Sequence, residues 1–260
     1  MVLALALGVL SPGGAGAEPA SGLREVVDQS FSTTTPGAPT GGSYSGAYHA
    51  ANNPNANPPS LRRIVLYPPA GMRFDTSVPD QCTATDLELE VRGPDACPRG
   101  SRIGSGTTEG LFFVPFAHAI VFDHFQHHLD LLNDANEQIA LVHSEGYTVV
   151  RGHFHPDGSI EFAPPTCFPS PPTGQCADDY ILQLKSANAF PPYTRASGGH
   201  MRSYATTPPT CPASGHWETT IKFWWADATA DSVVSDQPCT GPVTRRSHRH
   251  RRRHSHRRRR

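Results

Sequence analysis

Thr148-Val149-Val150-Arg151-Gly152-His153-Phe154 and Ser159-Ile160-Glu161-Phe162 flank His155-Pro156-Asp157-Gly158, so residues 148–162 read as two arms folded back through a tight reversal. The arms carry β-branched and aromatic residues, and Pro-Asp-Gly has the turn chemistry: a fixed φ, a carboxylate that bonds nearby backbone, and a residue free to take positive φ. An antiparallel hairpin in mid-chain points to an all-β fold. Outward from it the same grammar recurs. Ser43–His49 places Tyr44 and Tyr48 on one face, Leu61–Tyr67 is a strand stopped by Pro68-Pro69, and Leu87–Val91 alternates strictly. Phe31–Thr34, Tyr180–Leu184, Glu218–Trp225 and Asp231–Ser235 complete the set. Helix competes over Ala119–Asn133, where Val121, Phe125, Leu129 and Leu132 form a helical stripe while Ile120, Phe122 and His124 keep period two. The strand-like surroundings favour strand. Many short strands between Pro- and Gly-rich turns predict an antiparallel β-sandwich over residues 28–242, stabilised by disulfides and holding at most one short helix.

Charge divides the 260 residues sharply. The formal net charge is −1, but residues 18–244 hold 12 Lys+Arg against 23 Asp+Glu, a net of −11, while residues 245–260 hold ten Arg and no acid. Residues 1–17 are uncharged: an apolar run Met1–Leu10, then Ser11-Pro12-Gly13-Gly14 and Ala15-Gly16-Ala17, which fit the apolar core and cleavage site of a secretory signal. A run of that length is too short to span a bilayer, and no other segment reaches the ~18 apolar residues of a membrane helix. Residues 18–27 read as a linker. The stretch 243–260 lacks large apolar side chains and reads as a disordered tail.

Six cysteines, an even number outside the signal, fit an oxidising compartment. Sequential pairing is preferred among the fifteen connectivities: Cys82–Cys97, Cys167–Cys176 and Cys211–Cys239, each closing a short loop. No C-x-x-C occurs, which weakens zinc as the alternative.

The stretch Pro69-Ala70-Gly71-Met72-Arg73-Phe74-Asp75, then Val78-Pro79-Asp80-Gln81-Cys82 and Ala96-Cys97-Pro98-Arg99-Gly100-Ser101-Arg102-Ile103-Gly104-Ser105-Gly106, resembles a pattern of secreted, cysteine-containing actinobacterial proteins. Pro208–Trp217 and Pro238-Cys239 resemble that group's C-terminal half. The resemblance covers roughly residues 60–240. It implies an exported disulfide-linked domain and carries no activity and no catalytic residue.

Candidate chemistry is sparse. His118, His124, His127, His128, His143, His153 and His155 crowd the middle of the chain. His153 and His155 on one strand would share a face and could hold a metal, with Asp123, Asp130 or Asp157 to add an oxygen ligand, although no third ligand is defined and exposed hairpin histidines are ordinary. Gly42-Ser43-Tyr44-Ser45-Gly46 centres a nucleophile-elbow pattern on Tyr, not Ser, and Gly104-Ser105-Gly106 lacks the spacing of a phosphate loop. The acids Glu88/Glu90 and Asp157/Glu161 read as exposed strand residues. No catalytic residue is assigned. Tyr44, Tyr48, Phe112, Phe113, Phe116, Trp217, Trp224 and Trp225 could line a sugar- or lipid-binding face, and adjacent Trp224-Trp225 must point to opposite sides.

The tail carries the strongest signal. Arg245, Arg246, Arg249, Arg251, Arg252, Arg253, Arg257, Arg258, Arg259 and Arg260 would bind a polyanion with steep salt dependence. With an export signal, the expected partners are anionic cell-wall polymer, lipid headgroups or extracellular nucleic acid. The reading is a secreted or envelope-associated binding protein with no cofactor. Its alternatives are an extracellular hydrolase, metal-dependent through His153 and His155, and a carrier of a small lipid or sugar.

Overall fold

The computed structural model of the chain describes residues 20–114, 119–143, 146–165 and 180–241. In chain order the elements are β1 (Ala20–Ser21), β2 (Glu25–Phe31), β3 (Gly42–Tyr48), β4 (Leu61–Tyr67), β5 (Arg73–Phe74) and α1 (Asp86–Arg92). There follow β6 (Arg102–Val114), β7 (Ala119–Asp134), β8 (Glu137–His143), β9 (Tyr147–Phe154), β10 (Ile160–Phe162) and β11 (Tyr180–Phe190). The last are β12 (Thr194–Ser197), β13 (His200–Ser203), β14 (Ala205–Thr206), β15 (His216–Trp225) and β16 (Ala230–Pro238). Two single turns of 3₁₀ helix, at Gly93–Ala96 and Arg99–Ser101, lead from α1 into β6.

Twelve strands form one sheet in the order β1-β2-β3-β11-β6-β7-β8-β9-β10-β4-β15-β16, and every neighbouring pair is antiparallel. The sheet curls until its two ends meet, giving a nearly closed barrel. This corrects the sandwich expected from sequence, for both architectures read as alternating strands with one buried face. The deciding feature is the seam between β2 and β16, where side chains replace a backbone ladder. Ser235 Oγ accepts the Gln29 N–H at 3.1 Å and donates to the Gln29 carbonyl at 3.2 Å. The Gln237 carboxamide accepts the Phe31 N–H and donates to the Phe31 carbonyl at 3.0 Å. Backbone pairing resumes just beyond, with the Thr240 N–H on the Thr34 carbonyl at 2.8 Å. The edge groups of β2 are thus satisfied, which removes an open edge that would otherwise template foreign pairing.

The hairpin at 148–162 forms as expected: Ile160 pairs with Phe154 and Phe162 with Gly152. Gly158 takes φ 86°, and Asp157 accepts from the Ser159 backbone and hydroxyl at 3.0 and 2.6 Å. Ala119–Asp134 is strand, not helix. Leu87–Val91 is the opposite case, lying within α1 and not on a strand. Thr85 caps this helix, accepting the Glu88 N–H at 3.3 Å while the Glu88 carboxylate takes the Thr85 N–H at 2.8 Å. That reciprocal box fixes the first turn, and only Leu89 is buried whereas Leu87 and Val91 are exposed. Glu88 and Glu90 consequently sit on a helix.

The barrel has two buried ends and one covered wall. At one end Val27, Tyr48, Leu61, Ile221, Phe223, Trp225 and Val233 pack together. At the other, Ile103, Leu129, Leu131, Tyr204 and Ala205 meet Met72 and Phe74, beside the small β5–β14 pair. Outside the barrel, Leu89, the Cys82–Cys97 disulfide, Leu132, Ile139 and Leu141 form a third cluster. That cap is moored by Arg151, whose guanidinium reaches Asp86 at 2.8 Å, Glu137 at 2.6 Å and the Ala84 carbonyl at 3.1 Å. Cys211–Cys239 also forms and joins the approach to β15 to the residue after β16. β1 and the start of β2 lie in the stretch 18–27 expected as a linker, and Glu25 and Val27 there are fully buried. Residues 1–17, the tail 243–260 and the expected Cys167–Cys176 pair lie outside the described residues. Among the described residues no helix is long and apolar enough to cross a membrane.

Candidate functional site

Alternation puts one face of every barrel strand inward, and the inward side chains do not fill the space between the two buried ends. A cavity of about 170 Å³ remains. An adjoining one of about 100 Å³ shares Thr108, Val142, Val150, Pro164 and Gln183 with it, so the two form one lumen with a constriction. On the β4 and β7–β10 side the wall is largely apolar, with Ile64, Leu66, Leu129, Leu131, Val150, Ile160 and Phe162, and Gln138 of β8 sets one amide among them. On the β2, β3 and β11 side it presents Gln29, Ser43, Ser186 and Asn188. A bulge between Gln183 and Lys185 changes the parity of β11, so that Gln183 and Ile181 face inward together with Ser186 and Asn188. Among the described residues no Asp, Glu, Lys, Arg or His lines the larger compartment. The smaller one adds His127 and Glu109. Burial holds the His127 imidazole below its ordinary value, which favours the neutral ring, and Glu109 pairs with Lys185 at 2.9 Å.

Tyr44 and Tyr48 close one end of the lumen. Gly46 lies between them on the inward face, and its missing Cβ leaves the room in which their hydroxyls meet at 2.6 Å; a Cβ there would stand 2.7–2.8 Å from both oxygens. Burial pushes both phenols above their usual value. Beyond Tyr48, Glu25 is fully buried and accepts the Trp225 indole N–H at 3.2 Å. Burial, then the neighbouring Asp231 carboxylate, raises its carboxyl to about 7. Arg24 bridges Asp231 at 3.0 Å and Asp227 at 3.1 Å, so one guanidinium serves two acids at the foot of the seam.

A second group lies on the outer wall at the rim of the cap. His143 Nε2 is 2.8 Å from Asp130 Oδ2, and His128 Nε2 is 3.6 Å from Asp130 Oδ1. The donor atoms of the three residues lie within 4.8 Å of one another, a set that could coordinate a metal. Asp130 is almost fully buried, and Arg102 Nε approaches its Oδ1 at 3.3 Å. The His143 ring packs edge-on against both His128 and Tyr147, with centroids 5.0 Å apart in each case.

The chain matches no protein-family model, no curated protein and no solved structure. Its site is therefore read from geometry alone.

His153 and His155 are not brought together as a metal pair. β9 ends at Phe154, and the two rings take different partners: His153 Nδ1 faces Glu137 at 2.9 Å, while His155 Nε2 faces Glu161 at 3.6 Å. Of the aromatic set, Tyr44 and Tyr48 line the lumen, and Trp217 and Trp225 are buried. Trp224 points the other way from Trp225, under the Arg63 guanidinium at 3.6 Å. The side chains of Phe112, Phe113 and Phe116 lie outside the described ones, as does the arginine tail. His128, Asp130 and His143 were each candidates from the sequence, but the sequence reading did not join the three into one group. Its signal was the two-residue turn at Ala135-Asn136, from which the register runs to Leu129 opposite Val142, with His128 and His143 next in line and their rings in contact.

Proposed function

We propose that the protein is a secreted carrier that holds a small, uncharged, largely apolar molecule in the barrel lumen. The observation that carries this reading is the larger compartment, lined by no charged side chain among the described residues, largely apolar on one wall and amide- and hydroxyl-bearing on the other. Such a lining suits a neutral ligand with one polar edge, because a charged ligand would lose its hydration with no counter-charge in reach. A cavity of about 150 Å³ in another protein takes up benzene, so the joined compartments suit a molecule of one to three rings. The export signal, the resemblance to secreted proteins and the disulfides support an extracellular setting, and the arginine tail supports retention on an anionic surface.

The test is a fluorescence titration with 1-aminoanthracene, an uncharged three-ring probe. The protein is expected to bind one equivalent, and Ala140→Trp, which fills the lumen from β8, to weaken binding at least tenfold. Leu87→Ser, on the exposed face of α1, should leave it unchanged. Equal affinity in all three proteins would refute the reading.

A second reading, a metal-dependent extracellular hydrolase, has the His128–Asp130–His143 group in its favour. Hydrolysis of ester substrates that rises with added zinc and disappears in Asp130→Asn would support it.

A further inference from the structure

The outer wall offers a site independent of the lumen. His128 lies on β7, His143 ends β8 just beyond the Leu129–Val142 pair, and Asp130 lies two residues along β7 on the same outward face. Their neighbours Leu129, Leu131 and Val142 face the lumen, so the three donors sit on the back of the ligand-bearing wall. Both rings aim Nε2 at one carboxylate. In a tetrahedral zinc site with bonds of about 2.0–2.1 Å, donor atoms stand about 3.3 Å apart. The observed 2.8 and 3.6 Å separations bracket that value.

We propose that His128, Asp130 and His143 bind one zinc-like divalent ion, clamping β7 to β8 beside the disulfide-linked cap. The donor set of two imidazoles and one carboxylate suits zinc, nickel or copper and disfavours magnesium and calcium, which prefer all-oxygen shells. Asp130 is 4% exposed, so its charge is held out of water and a fixed cation beside it offsets that cost. Arg102 makes a single 3.3 Å approach to Oδ1 from a half-exposed position. It stands outside the ligand set and orients the carboxylate from there. His143 is steadied by the Tyr147 ring at 5.0 Å, and Tyr147 lies in the hollow left by Gly93, where a Cβ would come within 2.2 Å of the phenol ring. His128 is half-exposed, which leaves the fourth position of the ion open to water.

The histidine-bearing tail can also take up zinc, so the test needs a readout that the tail cannot imitate. The full chain, stripped with chelator, is melted with and without zinc chloride. One equivalent is expected to raise the melting temperature, and His128→Ala/His143→Ala and Asp130→Asn should both lose that rise. His153→Ala/His155→Ala should keep it. As a check free of folding defects, zinc should protect His128 and His143 of the unaltered protein from diethyl pyrocarbonate, read by peptide mass spectrometry. A zinc-dependent rise that survives in the double variant, or equal modification of both histidines with and without zinc, overturns the proposal.

Discussion

Replacing Glu25 by Gln removes one negative charge from the foot of the seam while keeping an oxygen for the Trp225 indole N–H, now 3.2 Å from the carboxylate. Glu25 is fully buried, beside Asp231 and the shared Arg24. Its carboxyl stands at about 7 in the folded chain against an ordinary 4.5. Because the folded state holds this proton more tightly than the unfolded state, the contribution is fully present below about pH 4.5. It is lost as pH rises towards 7 and stays lost above it. That interval corresponds to about 3 kcal/mol, at 1.36 kcal/mol for each pH unit between the two values. The variant should match the unaltered protein near pH 4.5 and exceed it by up to about 3 kcal/mol at pH 8. Urea unfolding followed by tryptophan fluorescence at intervals between these values measures the difference. Parallel stability curves for the two proteins would refute the reasoning, since they would mean that Glu25 is ionised throughout.

Two further outcomes follow from the cap and the tail. Cys82→Ser/Cys97→Ser releases a link of sequence separation 15, and urea unfolding should show a loss of about 3 kcal/mol. Deleting residues 245–260 should abolish binding to anionic vesicles of phosphatidylglycerol. The full chain should release from them as salt is raised, and retention of the truncated form would show that another surface attaches it.

The parts of the fold that were legible in the sequence are those decided locally. Pro156-Asp157-Gly158 fixes its hairpin because turn chemistry and the alternation of both arms lie within fifteen residues. Glu218–Trp225 alternates and became β15, and Leu61–Tyr67, an apolar run stopped by Pro68-Pro69, became β4. Leu87–Val91 misled because its strict alternation is a strand's pattern, whereas in the helix Leu89 alone turns inward and Leu87 and Val91, one turn apart, share the exposed side; the arbiter was the Thr85–Glu88 cap, equally present in the sequence. Closure into a barrel was not legible. It rests on Ser235 and Gln237 reaching backbone 206 residues away, and on a strand these two polar residues look the same whether they face a seam or solvent. The candidate site divides in the same way. Tyr44 and Tyr48 were placed on one face, whereas the larger compartment appears only when ten strands of the sheet are brought around it. His128 and Asp130 were visible as a period-two pair, but His143 joins them only through the register set at Ala135-Asn136.

A crystal structure of the full chain equilibrated with 1-aminoanthracene tests the carrier reading most directly. The account predicts one molecule of the probe inside the barrel, its rings against Leu129, Leu131 and Ile160 and its amine towards Ser186 or Asn188. A lumen closed by its own side chains, with the probe found only on the outer surface, would contradict it.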